Sequence, residues 1–63
     1  MTDKEVKNIL KNETKDNKIG FILSCRQDKR LKTNDAYYQY VLNEYKLMDI
    51  DEIDNQFTFY INN

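Results

Sequence analysis

Apolar positions in this chain recur at two different periods. Near the start, Val6, Ile9 and Leu10 follow at helical spacing, with Lys4, Lys7, Lys11 and Lys15 on the opposite side. Thr2-Asp3-Lys4-Glu5 ahead of them has the form of a capping box, Thr2 as N-cap and Glu5 reaching back. The pattern predicts an amphipathic helix of about three to four turns with a thin apolar stripe. Asp16-Asn17 is the expected stop, because Asn tolerates the left-handed conformation at a helix end.

From Lys18 to Cys25 the pattern reads as period two. Ile19, Phe21 and Leu23 face one way, and Gly20, Ile22 and Ser24 the other, which predicts a strand with apolar residues on both faces. Arg26 to Lys32 reads as a charged loop or a hairpin turn, with Gln27-Asp28-Lys29 as the bend and Arg30-Leu31-Lys32 as a short return strand. Thr33-Asn34-Asp35 supplies caps for a second helix from about Asp35 to Met48. Tyr37, Tyr38, Val41, Leu42, Tyr45 and Met48 fill one side of that helix. Tyr40 and Leu47 do not fit that side and sit with Ala36 on a flank of their own.

Asp49 to Asn55 is an acidic connector with room for a helical turn on Ile50 and Ile53. Gln56 to Asn62 then alternates, Phe57, Phe59 and Ile61 against Thr58, Tyr60 and Asn62, which predicts a second strand. The expected fold is therefore α+β, in the order α-β-α-β. It is a small sheet of two to three strands with two helices packed on one face, in a single small domain over residues 1–63. Val6, Ile9, Leu10, Phe21, Leu23, Val41, Leu42, Tyr45, Phe57, Phe59 and Ile61 form the expected core.

Composition narrows the stabilising devices. A core from 63 residues rarely supplies more than about 3–5 kcal/mol. Cys25 is the only cysteine, so no internal disulfide forms, and a lone thiol fits a reducing compartment. There is no His, which removes the commonest general base and leaves few soft metal ligands. No apolar run approaches the ~18 residues of a membrane span, and the N-terminal segment is polar without a secretory h-region. The expectation is a cytoplasmic protein that is not an enzyme, holds no cofactor or metal and does not enter a membrane. Association with a partner or with a second copy, as a homodimer, is the stabiliser left.

Charge is split along the chain. Residues 1–33 carry nine Lys/Arg against five Asp/Glu, and residues 34–63 carry Lys46 alone against six acids. The overall charge of −1 hides two opposed halves. Two candidate sites follow. The acidic half combines Tyr40 and Glu44 on the second helix with Asp49, Asp51, Glu52 and Asp54 after it. Tyr is enriched at interfaces, and carboxylates spaced along a surface stand where phosphates would. The basic segment offers Arg26, Lys29, Arg30 and Lys32 to a phosphate backbone, against the repulsion of the acidic half.

Cys25 reads as a small apolar residue at a strand end rather than a nucleophile. The function these features favour is a small protein-binding module, of the kind that phages and mobile elements use to inhibit a host nucleic-acid enzyme (an anti-CRISPR or anti-restriction protein). Its partner is then a host protein with a basic surface. The alternative is a small nucleic-acid-binding regulator working through residues 26–32.

Overall fold

A computed structural model describes residues 2–62, and every regular element among them is helical. The order is α1 (Asp3–Asn12), α2 (Lys15–Cys25), α3 (Lys29–Thr33), α4 (Asp35–Leu47) and α5 (Ile50–Ile61). The α+β expectation is therefore wrong, and no sheet exists among the described residues. The segment read as a first strand is α2, the proposed return strand at Arg30–Lys32 is α3, and the C-terminal strand is α5. The two helices foreseen, at the start and over Asp35 to Met48, are α1 and α4, although α1 stops at Asn12.

Caps explain most of this. Thr2, Thr14, Asp28 and Asn34 each take a backbone N–H from the first turn of the helix that follows, those of Glu5, Asn17, Arg30 and Tyr37. Each supplies an acceptor to one of the donors that a helix N-terminus leaves unsatisfied. Asp16-Asn17, expected as a helix stop, is thus the first turn of α2. In α2 the buried residues are Lys18, Ile19, Ile22 and Leu23, a stripe at i, i+1, i+4 and i+5. A helix hides Ile22 with Ile19, whereas a strand would have sent them to opposite faces. In α5 the stripe starts earlier than the alternation suggested. Ile53 and Phe57 are buried, Tyr60 and Ile61 pack against the core, and Phe59 turns outward.

The core is built on α2, which packs against α5 and α4, while α1 lies on α5 and α3 on α4. Ile19, Ile22 and Ile53 are fully enclosed, with Leu23, Leu31, Val41, Tyr45 and Phe57 around them. Leu23, Val41, Tyr45 and Phe57 were expected there, and Val6 is buried as foreseen. Phe21 and Phe59 were also expected there and are exposed, Phe21 resting edge-on against Phe57 at 5.2 Å.

Two lysines lock α2 in place. Lys15 Nζ donates to the carbonyls of Lys46 and Met48 at 2.9 and 2.8 Å, covering acceptors that the end of α4 leaves open. Lys18 Nζ, on a side chain buried in the core, donates to Asp54 Oδ1 of α5 at 2.6 Å. Principal extents of 37 × 22 × 15 Å make the molecule flat. A body this thin leaves each helix with one side toward solvent. On α2 that side includes Gly20, and a Cβ built there meets nothing within 4 Å. Replacing Gly20 with Ala is expected to raise stability by about 0.5–1 kcal/mol, since Gly inside a helix is unfavourable by that amount. A urea melt checks it, with an unchanged or lower midpoint as the contrary result.

Candidate protein-binding surface

The acidic candidates separate by their partners. Asp54 is half-buried and held by Lys18, so its carboxylate belongs to the fold. Glu52 is exposed and accepts from Gln56 Nε2 at 3.2 Å. Gln56 in turn accepts the Tyr45 hydroxyl at 2.7 Å, and Arg26 donates to that hydroxyl at 3.3 Å. This chain ties α4 and α5 to the C-cap of α2. Asp49 is the N-cap of α5 by position but makes no side-chain cap bond, and Asp51 and Glu52 occupy the first turn of that helix. Their charge complements the positive end of the helix dipole. Tyr40 and Glu44 are exposed one turn apart on the solvent side of α4. Among the described residues, none of Glu44, Asp49, Asp51 and Glu52 is paired with a cation.

Two apolar side chains stand in the same region. Leu47, the last residue of α4, is 83 % exposed, and Ile50, the first of α5, is 45 % exposed. The sequence reading set Leu47 on a flank with Tyr40 and Ala36 but did not join it to the acidic site. The signal was present: Leu47, Asp49, Ile50 and Asp51 are consecutive or nearly so, and the stripe positions of α4 exclude Leu47.

The basic segment is less available than its composition suggests. Arg26 is half-buried, bonded to Tyr45 and lying 6.0 Å from its ring centroid. Arg30 stacks on the Tyr37 ring at 4.4 Å and bonds Asp28, whose other oxygen takes the Tyr37 hydroxyl at 3.0 Å. Desolvation pushes the Asp28 carboxyl upward, but the hydrogen bonds from the Arg30 side chain and backbone and from Tyr37 outweigh it and hold the carboxyl below its ordinary value. Its hydrogen bond to Asp28 raises Arg30 in return. Lys29 and Lys32 are exposed and line a shallow depression of about 280 Å³ together with Gln27 and Asp28. The carboxylate in that lining opposes a phosphate.

A second depression, of about 440 Å³, is lined by Cys25, Gln27, Phe59 and Tyr60. The half-buried Cys25 ends α2, where a strand end was expected, and no ionisable base lines the depression with it. Among the described residues no group of three His, Cys, Asp or Glu side chains is placed to hold a metal ion. No helix there is long and apolar enough to cross a membrane. No family model, no curated protein and no solved structure matches this chain.

Proposed function

We propose that this protein acts by binding another protein, and that the contact is the corner where α4 meets α5. The observation that carries the reading is the exposure of Ile50 between the carboxylates of Asp49, Asp51 and Glu52, which face solvent without a cation. An exposed apolar side chain flanked in sequence by three carboxylates, with Lys15 holding the end of α4 beside them, fits a partner whose surface is basic around an apolar notch. The groove of a nucleic-acid enzyme has that chemistry. Occupying it with carboxylates in place of phosphates inhibits the enzyme by competition, and that is the activity we assign, in the manner of phage and mobile-element inhibitors.

The test neutralises the corner. Asp49→Asn, Asp51→Asn and Glu52→Gln together keep side-chain size but give up about 0.3–1 kcal/mol each of helix-dipole stabilisation, so circular dichroism first establishes that the variant is folded. Purified host nucleic-acid enzymes are assayed with wild type and with this triple variant. The expected result is inhibition by wild type that falls at least about tenfold in the variant, weakens with salt and is relieved by added duplex DNA. Gel shifts with duplex DNA, single-stranded DNA and RNA accompany it. Tight binding of nucleic acid near about 0.15 M salt, lost on Lys29→Glu with Lys32→Glu and kept in the acidic variant, would overturn the reading in favour of a nucleic-acid-binding regulator.

A further inference from the structure

The outer side of α4 carries a second periodic stripe. Ala36, Tyr40, Asn43 and Leu47 follow at spacings of four, three and four, the seam spacing of paired helices. All of them are exposed, Tyr40 by 63 % and Leu47 by 83 %. The other side of α4, bearing Val41 and Tyr45, is the one turned into the core.

We propose that this stripe is a self-association surface whose occupant is α4 of a second copy, running antiparallel. The argument is complementarity in both size and charge. A two-fold axis between residues 41 and 42 brings Leu47 of one copy onto Ala36 of the other, large on small, and Tyr40 beside Asn43. A parallel pairing sets Leu47 on Leu47 and leaves a gap at Ala36. In the antiparallel arrangement each flank of the helix meets its own kind. Asp35 and Lys46 share one flank, so Asp35 of each copy lies beside Lys46 of the other, twice over. Glu44 shares the opposite flank with Tyr37, over whose ring Arg30 is stacked. Glu44 of each copy then approaches the Arg30 guanidinium of the other, a side chain 69 % exposed in the monomer. Of these cross-pairs, Glu44 with Arg30 joins the acidic half of one copy to the basic half of the other.

This inference rests on α4 alone and does not depend on the binding activity assigned to the corner. Pairing covers Tyr40 and Glu44 and leaves Asp49, Asp51 and Glu52 open at both ends of the dimer. The seam is short of the area of a standard interface, so the dissociation constant is expected near about 100 µM.

Sedimentation equilibrium from about 20 to about 500 µM, the range that brackets such a constant, tests it. The expected result is a monomer–dimer equilibrium, a few-fold weaker near about 0.5 M salt than near about 0.05 M, because the cross-pairs are exposed. Leu47→Glu should weaken it more than about tenfold by placing a charge in the seam, with circular dichroism unchanged. Direction is read by cross-linking in a Cys25→Ser background. Ala36→Cys combined with Leu47→Cys should give a covalent dimer on mild oxidation with diamide, and either cysteine alone should give little. Monomer at every concentration overturns the proposal. So does a dimer indifferent to Leu47→Glu, and so does Leu47→Cys cross-linking alone as well as the pair does.

Discussion

Asp54→Ala is expected to lower the stability of the protein by about 2–3 kcal/mol. Lys18 is 3 % exposed, and its ammonium is held by Asp54 at 2.6 Å, with no other side-chain partner among the described residues. Removing the carboxylate leaves the Lys18 ammonium without its partner between α2 and α5, and because the Asp54 side chain is 31 % exposed the cost is expected at about 2–3 kcal/mol, below that of breaking a fully buried pair. That is a large part of the about 3–5 kcal/mol a core of this size usually supplies. The effect comes from the orphaned charge and not from the value of the pair itself. Lys18→Met combined with Asp54→Ala should therefore recover most of the loss, since the methionine fills the lysine stem's place without a charge. Urea melts followed by circular dichroism check both variants. An Asp54→Ala protein within about 1 kcal/mol of wild type would mean the pair does not form in solution. The same experiment bears on function. Reversing Asp54 together with the corner acids would confuse loss of binding with loss of fold, which is why the corner is tested without it.

How far the sequence foretold this structure depends on which residues carried the signal. Where one side of a helix holds a continuous apolar stripe, as in Asp35–Leu47, the period is plain, and the element, a cap within Thr33-Asn34-Asp35 and the buried Val41 and Tyr45 are legible. In α2 the central run Ile19-Gly20-Phe21-Ile22-Leu23 is apolar nearly all round, and a short run of that kind fits a strand and a buried helix equally well. The alternation of Ile19, Phe21 and Leu23 with Gly20, Ile22 and Ser24 is what points to a strand. The decisive evidence lay outside the run, in Thr14 as a cap and in Lys18, whose stem completes the buried stripe while its charge is matched by a residue 36 positions away. No local pattern announces such a partner. The same limit governs the acidic site. Tyr40 and five acids formed one group, and tertiary structure then tied the half-buried Asp54 to Lys18 and left the others facing solvent. The flank of Ala36, Tyr40 and Leu47 was legible as an anomaly, and the thinness of the molecule explains why it persists as an open face.

The C-terminal helix gives the sharpest contrast, because period two and period 3.6 assign its aromatics oppositely. A strand buries Phe57 and Phe59 together on one face. The helix buries Phe57, at 4 % exposure, and turns Phe59 outward at 62 %. Phe57→Ala is expected to cost about 3–5 kcal/mol, combining lost transfer energy with a cavity beside Phe21 and the α2 isoleucines. Phe59→Ala removes an edge-on contact with the Tyr60 ring at 5.2 Å and should cost about 1 kcal/mol or less. Thermal melts separate the two, since each kcal/mol moves the midpoint of a domain this small by about 4–8 °C. Phe59→Ala should melt within several degrees of wild type, and Phe57→Ala should show no cooperative transition. Equal, severe losses at both positions would restore the sheet. Loss confined to Phe57 would establish that the chain closes on a helix, and with it that the corner at Asp49 to Glu52 is the first turn of that helix rather than a loop.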